Sequence, residues 1–125
     1  MISIVDDDLS VREAAKCLIR SLGYDAASFS SAEEFLESEQ LETTACLISD
    51  MHMSGLSGAE LQDHLIDRGH RVPIIFVTGF PEEHLRGRVL KAGAIGYLSK
   101  PFNVEHLVLC LDMALATGSS RSCKR

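Results

Sequence analysis

The 125-residue chain lacks several features that would assign it to a broad class of protein. No apolar run approaches the roughly 18 residues that a membrane-spanning helix needs. The start has no basic segment followed by an apolar one, which a secretory signal would have, so we expect a cytoplasmic protein without a membrane partner. The net charge of −6 leaves no broad basic surface, so we expect no direct nucleic-acid binding by this segment.

The cysteines also lack the spacing of a metal site. There are four of them: Cys17, Cys46, Cys110 and Cys123. No two form the C-x-x-C pair that is typical of zinc and redox motifs. We interpret them as structural residues. Cys46 lies in an apolar run, where a free thiol behaves as a small hydrophobic side chain.

Short apolar runs alternate with helical patterns, which is typical of β-α units and a parallel sheet. Strands are predicted near residues 1–5, 24–28, 45–49, 73–77 and 95–98, and helices near 10–22, 32–38, 58–68, 82–92 and 103–116. Five such units predict a flavodoxin-like doubly wound α/β fold, a five-stranded parallel sheet with strand order 2-1-3-4-5 and five helices. We place one domain at 1–118 and interpret 119–125 as a tail or the start of a linker.

Helix starts and faces can also be predicted from spacing. A serine three residues before a glutamate predicts a capping box at Ser10–Glu13, Ser31–Glu34 and Ser57–Glu60. The first helix has an apolar face made of Val11, Ala14, Ala15, Leu18 and Leu22. The last helix has one apolar stripe for the sheet and a second on the opposite side, made of His106, Leu109, Cys110 and Met113. The second stripe indicates an interaction surface.

The strand-like runs share one feature, because each ends in reactive polar residues. The first runs into Asp6, Asp7 and Asp8, and the later ones into Asp50, Thr78 and Lys100. In an open parallel sheet the carboxyl ends of the strands line the ligand crevice. Carboxylates crowded there repel one another and indicate a hard cation such as Mg²⁺, which shares oxygens with a phosphate. The alternative, a solvated D-D-D loop that provides a helix N-cap, explains Asp8 but not the matching strand ends.

The chain resembles the receiver domains of bacterial two-component response regulators over residues 1–116. The likeness rests on I-V-D-D-D at 4–8, D-M-H-M-S-G-L-S-G at 50–58, F-V-T-G at 76–79 and K-A-G-A-I-G-Y-L-S-K-P-F at 91–102. The last segment and S-A-E-E-F-L at 31–36 are most similar to FixJ-type receivers, which usually carry a C-terminal helix-turn-helix output domain. The resemblance therefore implies a sensor histidine kinase as partner and a transcriptional output, with DNA contacted only through a further domain.

The resemblance also implies roles for individual residues. Asp50 would be the phospho-acceptor, and Asp6, Asp7 and Asp50 would hold Mg²⁺ with the backbone carbonyl of His52. Lys100 and Thr78 would contact the phosphoryl group. Tyr97 would be the aromatic that turns inward on activation, and His52 and Phe80 would occupy the variable positions beside the phosphoryl group. The domain would catalyse only its own phosphorylation and hydrolysis, and it would form a homodimer or contact its output through helix 4, strand 5 and helix 5.

Two local features differ from the family or depend on it. Receivers most often have proline where this chain has Ser54, so we expect a loop with more freedom at 51–57. The Lys100–Pro101 bond is expected to be cis, as it usually is in receivers.

Two other functions stay open at this point. Asp6–Ser10 resembles the D-x-D-x-[TV] motif of haloacid-dehalogenase-type phosphatases, although Ser10 replaces Thr or Val. That family also needs a second acidic pair after the lysine, and here only Glu105 and Asp112 follow Lys100, both in a helical pattern. The other alternative is a receiver that serves as an interaction module and is never phosphorylated.

Overall fold

The computed structural model describes residues 1–53, 55–100 and 103–123, with side chains described up to residue 116. The strands are β1 (Ile2–Val5), β2 (Ala26–Phe29), β3 (Cys46–Asp50), β4 (Ile74–Thr78) and β5 (Gly96–Ser99). The α-helices are α1 (Leu9–Ser21), α2 (Ala32–Leu36), α3 (Gly58–Asp67), α4 (Glu83–Lys91) and α5 (Val104–Cys123), and a 3-10 turn spans Glu39–Glu42. No helix in the described residues combines the length and apolar character needed to cross a bilayer.

The five strands form one parallel sheet in the order β2-β1-β3-β4-β5. This confirms the predicted doubly wound fold. The three central strands are buried on both faces, as parallel strands covered by helices must be. Because neighbouring residues of a strand point to opposite faces, each pair of adjacent side chains contributes to two separate cores.

The two cores lie on opposite faces of the sheet. One is built from Val5, Leu47 and Phe76 with side chains of α2 and α3, among them Phe35 and Leu61. The other is built from Ile4, Ile48 and Ile75 with Ile19 of α1 and Leu107 of α5. Cys46 belongs to the second core, and burial there raises the pKa of its thiol to about 12, with a smaller contribution from Cys110. The thiol is therefore protonated and packs as a hydrophobic group, as predicted.

Two of the three predicted capping boxes are wrong or incomplete. At α1 the N-cap is Asp8, whose carboxylate accepts the N–H groups of Ser10 and Val11. Aspartate two residues before Ser10 has an extended backbone and a short acceptor, so it begins the helix first. At α2 Ser31 accepts from the N–H of Glu34, but the Glu34 carboxylate accepts from Ser30. Only Ser57–Glu60 at α3 forms the complete box.

Two helices also differ from the predicted faces and ends. In α1 the buried residues are Ala15 and Ile19, whereas Ala14 and Leu22 are exposed, because the sheet touches a narrower stripe than the predicted face. α5 continues to Cys123, seven residues beyond its predicted end at 116. The added part contains no proline, and its one glycine, Gly118, is tolerated inside a helix at a cost in stability. The domain boundary after 118 stays a prediction.

Candidate functional site

The candidate site lies at the carboxyl edge of the sheet, where β1, β3, β4 and β5 end. The strand register pairs Val5 with Ser49, so Asp6 follows β1 level with Asp50, the last residue of β3. It also pairs Asp50 with Val77, which puts Thr78 one residue further along the adjacent strand. The sheet order therefore brings these polar residues to one crevice.

Three carboxylates meet in this crevice. Oxygens of Asp6, Asp7 and Asp50 all lie within 4.8 Å of one another. The Asp6 and Asp50 side chains are buried, while Asp7 is exposed to solvent. Three hard oxygen donors with one side open to water match what Mg²⁺ prefers, since it binds a few carboxylates and retains waters. The donor set fits the predicted cation.

Lys100 is the cation that faces these acids. Its Nζ lies 2.9 Å from Asp6 Oδ2 and 3.4 Å from Asp50 Oδ1. Burial by itself would lower the pKa of this amine, but the hydrogen bond to Asp6 and the negative charges of Asp50 and Asp6 outweigh burial and raise the pKa above its ordinary value. Lys100 is therefore a fixed positive charge at neutral pH.

The surroundings of the Asp50 carboxyl disfavour its ionised form. Burial raises its pKa above the ordinary value, and the charge of Asp6 raises it further. The Lys100 ammonium and a hydrogen bond from the backbone N–H of His52 act in the opposite direction without cancelling the rise. A positive charge added near Asp50 would therefore stabilise its ionised form.

Thr78, His52 and Phe80 border the acidic cluster. Thr78 is fully buried, and its Oγ1 accepts the N–H of Phe80 at 3.0 Å. The rings of His52 and Phe80 meet edge to face, with centroids 6.2 Å apart. Phe80 is 76% exposed, which is unusual for a phenylalanine and leaves the ring pair facing solvent beside the site.

Tyr97 lies on β5, the strand that pairs with the Thr78 strand β4. Its ring is half-buried against the core on the α3 and α4 face. Its hydroxyl oxygen accepts the backbone N–H of Glu82 at 3.2 Å, at the start of α4. Glu82 is the N-cap of that helix and provides no side-chain cap of its own. Tyr97 therefore joins the strand next to Thr78 to the first turn of α4.

Two contacts at the site were not predicted from the sequence. Arg12 donates from Nη1 to the backbone carbonyl of Asp6 at 2.9 Å, and the N–H of Asp8 donates to Asp6 Oδ1 at 2.9 Å. Both hold the turn that carries the acidic pair. The signal for Arg12 was its position near the start of a helix, where the dipole disfavours a cation unless it has another partner.

Two predictions fall on residues that the structure does not describe. Ser54 lies outside the described residues, and so does the peptide bond between Lys100 and Pro101. The freedom of the 51–57 loop and the cis bond stay predictions.

Comparison with known proteins gives one family. The family described as the response regulator receiver domain matches residues 2–112. Nodulation protein W of Bradyrhizobium diazoefficiens is 38% identical over 125 residues, which is all of this chain and 53% of the relative. The transcriptional regulatory protein TdiR of Thauera aromatica is 33% identical over 98% of this chain and 54% of its own length. The chain thus spans about half the length of these curated relatives.

Solved structures agree with this result. The response regulator StyR is 39% identical with a TM-score of 0.89, over 97% of this chain and 61% of that one. The FixJ-N structure is 28% identical with a TM-score of 0.81, over 92% of both chains. The likeness to FixJ-N agrees with the FixJ-type resemblance that the sequence motifs indicate.

Proposed function

We propose, from the premise that this chain belongs to the response regulator receiver domain family, that it accepts a phosphoryl group on Asp50 from a sensor histidine kinase. The observation that carries the proposal is the gathering of three carboxylates within 4.8 Å of one another, with an ammonium group 3.4 Å from Asp50 Oδ1. Such a site is suited to phosphoryl transfer, which needs positioning and charge stabilisation more than covalent chemistry.

The proposed reaction uses Asp50 as the nucleophile. A carboxylate oxygen of Asp50 bonds to the phosphorus of a phosphohistidine, and the phosphorus–nitrogen bond breaks as the imidazole leaves. Hydrolysis later returns the carboxylate and releases inorganic phosphate. Lys100 stabilises the charge on the phosphoryl oxygens, as a preorganised donor in a partly buried site. The domain in this proposal turns over only its own phosphoryl group and no separate substrate.

Mg²⁺ would be held by Asp6, Asp7 and Asp50 with the backbone carbonyl of His52. When bound, the ion would supply the positive charge that lets a phosphoryl dianion approach three carboxylates. The proposal assigns Asp6 the more constrained position, because its carboxylate also bonds the Asp8 N–H and Lys100. Asp7 is exposed and suits a ligand that acts through a water.

We assign the switch to Thr78 and Tyr97. In the proposed active state the Thr78 hydroxyl turns from the Phe80 N–H to a phosphoryl oxygen, and Tyr97 moves inward. This motion would break the hydrogen bond between Tyr97 and Glu82 and so disturb the start of α4. His52 and Phe80 would set how water reaches the phosphoryl group, since their rings stand at the solvent side of the site.

The test of the acceptor is labelling by a small phosphodonor such as acetyl phosphate, with and without Mg²⁺. Reduction of the acyl phosphate with borohydride followed by mass spectrometry locates the modified residue. We expect modification of Asp50, none in Asp50→Asn, and none in excess chelator. Modification of Asp6 would instead favour the phosphatase, and an unmodified chain under all conditions would favour a receiver used only as an interaction module.

The proposed output surface is formed by α4, β5 and α5. On α5, Leu109 is 60% and Met113 is 56% exposed, so an apolar patch lies beside the strand that carries Tyr97. A patch of this kind suits a second copy of the chain or an output domain. TdiR is a transcriptional regulator by name, and we propose that the whole protein containing this chain controls transcription through a further DNA-binding domain.

Sedimentation with and without beryllofluoride, a phosphoryl mimic, tests this surface. We expect a homodimer in the presence of the mimic, with slower amide exchange on α4 and α5. Leu109→Ser should abolish the dimer without changing labelling of Asp50. An unchanged mass together with unchanged exchange of residues 82–113 at saturation would refute the surface.

A further inference from the structure

The loop between β3 and α3 follows the acceptor directly, and its two ends are fixed by packing. The N–H of Gly58 donates to the carbonyl of Met51 at 2.9 Å. A β-carbon at Gly58 would lie 2.5 Å from the Asp50 carbonyl oxygen, so the start of α3 is pressed against the end of β3. These contacts hold the loop where it leaves the sheet and where it enters α3, but not between those points.

The middle of the loop is held from a different element. Glu33, in the first turn of α2, accepts the backbone N–H of Leu56 through Oε2 at 3.2 Å. A β-carbon at Gly55 would lie 2.6 Å from the same oxygen, so the carboxylate rests directly on the loop backbone. Gly55 has φ +77°, a conformation that glycine adopts most easily. A glutamate 23 positions earlier in the sequence thus contacts two consecutive loop residues.

We propose that Glu33 is a positioning residue for the phospho-acceptor site. Its carboxylate holds the β3–α3 loop so that His52 is placed to bond Asp50 and to present its carbonyl. The hydrogen bond from Glu33 to Leu56 joins the middle of the loop to α2, an element that is far from it in the sequence. The proposal rests on the function proposed above.

The expected consequence is specific to the metal. Mg²⁺ demands near-ideal octahedral geometry, so a carbonyl ligand on a looser loop binds it less well. Asp50 ends β3 and Lys100 directly follows β5, so we expect both to keep their places when the loop loosens. Loss of the Glu33 contact should therefore weaken Mg²⁺ binding while the reaction at saturating Mg²⁺ is unchanged.

The experiment compares Glu33→Ala, Glu33→Gln and Glu34→Ala with the wild type. Glu33→Gln keeps an oxygen acceptor for Leu56 but removes the charge. Glu34→Ala removes an acid from the same turn of α2, where its carboxylate bonds Ser30 and not the loop. Three quantities are measured: amide exchange of Leu56 without metal, the Mg²⁺ dissociation constant by calorimetry, and labelling by acetyl phosphate over a range of Mg²⁺ concentrations.

For Glu33→Ala we expect Leu56 exchange to be about fivefold faster, the size expected for one lost hydrogen bond. The Mg²⁺ dissociation constant and the Mg²⁺ concentration for half-maximal labelling should both rise about three- to fivefold, with the maximal rate unchanged. Glu33→Gln and Glu34→Ala should behave as the wild type. An unchanged Mg²⁺ constant in Glu33→Ala would overturn the proposal. An equal rise of the Mg²⁺ dissociation constant in Glu34→Ala would also overturn the proposal, because the effect would then come from α2 as a whole. An equal rise in Glu33→Gln would overturn it because the effect would then come from the negative charge and not from the hydrogen bond.

The outcomes separate this proposal from the assignment of Asp50. If the wild type were not labelled on Asp50, the exchange and calorimetry measurements would still decide the role of Glu33. If the wild type were labelled and Glu33→Ala bound Mg²⁺ normally, only the role of Glu33 would fail.

Discussion

Helices α3 and α4 lie on the same face of the sheet but are held to it very differently. α3 buries five residues, Gly58, Ala59, Leu61, Gln62 and Leu65, and begins with a complete capping box. α4 buries only Val89, has no side-chain cap at Glu82 and contains Gly87 in its middle. The helix that follows Asp50, the proposed acceptor, is therefore tightly packed, and the helix on the proposed output surface is not.

The difference shows where a phosphorylation signal can act. Segments with few buried apolar contacts open at low free energy, whereas well-packed ones open only with the whole domain. A ligand can shift a conformational equilibrium only by as much as its preference for one state. Under the proposed function, a loosely held α4 would need little preference, so a single phosphoryl group would be enough to move it while α3 keeps Asp50 in place.

The largest expected effect comes from Gly58→Ala, which crowds the first residue of the tightly packed helix α3. The added methyl group would meet the Asp50 carbonyl oxygen at 2.5 Å, along with the Met51 Cα and the Phe76 ring at 3.0 Å. Because backbone cannot move aside cheaply, we expect the free energy of unfolding to fall by about 2–3 kcal/mol, as for other overpacked cores. Urea unfolding measures it, and a loss below about 0.5 kcal/mol would show that α3 can shift.

The strand end that precedes α3 belongs to a cluster of carboxylates that repel one another, and Asp50→Asn would remove one of these charges. Two carboxylates about 5 Å apart repel by roughly 3 kcal/mol at an effective dielectric of 20. Lys100 offsets part of this repulsion, so we expect the variant to be more stable by on the order of 1–2 kcal/mol at pH 7 in chelator. Asp63→Asn, at an exposed position, is the control.

The pH dependence of this gain in stability tests whether the gain comes from the charge of Asp50. Burial and the Asp6 charge raise the pKa of Asp50 in the folded protein, so the unfolded chain releases this proton at lower pH than the folded one. The wild type thus loses stability through this group as the pH rises from about 4 through the raised pKa. The advantage of asparagine should vanish below about pH 4. An advantage that grows toward acid pH would contradict this origin.

A third variant, Gln62→Leu, tests the link between the two helices. The buried Gln62 amide donates from Nε2 to the carbonyl of Val89 at 3.1 Å, while that carbonyl also accepts the Ala94 N–H at 2.9 Å. Since the acceptor keeps one partner, we expect a loss of only about 1 kcal/mol. Amide exchange should accelerate in α4 much more than in α3.

Asp63→Ala is the matched control for that variant. It breaks the neighbouring exposed ion pair to Arg88, which joins the same two helices at 2.7 Å. An exposed pair contributes little, so we expect less than about 0.5 kcal/mol and no change in α4 exchange. Equal effects of the two variants would mean that the buried amide has no special role in holding α4.

The sequence predicted the sheet and the site because both follow from simple periodicity. Apolar runs predict the strands, and parallel strands bring their carboxyl ends to one edge, so the sequence alone groups Asp6, Asp50, Thr78 and Lys100. The strand order and the receiver family are confirmed. The roles of these residues stay predictions, because geometry gives proximity and not reactivity.

The long-range contacts that the sequence did not predict depend on how helices are oriented on the sheet. Glu33 reaches Leu56 across 23 positions, and Gln62 reaches Val89 across 27. Glutamate and glutamine are ordinary helix residues, so neither carries a local signal of its partner. At α1 the sequence offered two N-cap candidates two positions apart, Asp8 in the alternative interpretation and Ser10 in the predicted capping box, and the first of them begins the helix.

The last variant, Gly87→Ala, lies in the loosely packed helix α4 and is expected to have a small stabilising effect. Among the described residues no atom lies within 4 Å of a β-carbon at Gly87, and its backbone does not have a positive φ, so the methyl group has room. Alanine lowers the entropy of the unfolded chain and favours helix, so we expect a gain of about 0.5–1 kcal/mol. The same substitution is thus destabilising in α3 and stabilising in α4. If α4 must loosen for signalling, the gain should also slow its amide exchange and weaken dimer formation with beryllofluoride. A stabilised α4 that still dimerises as the wild type does would mean that α4 moves as a rigid helix.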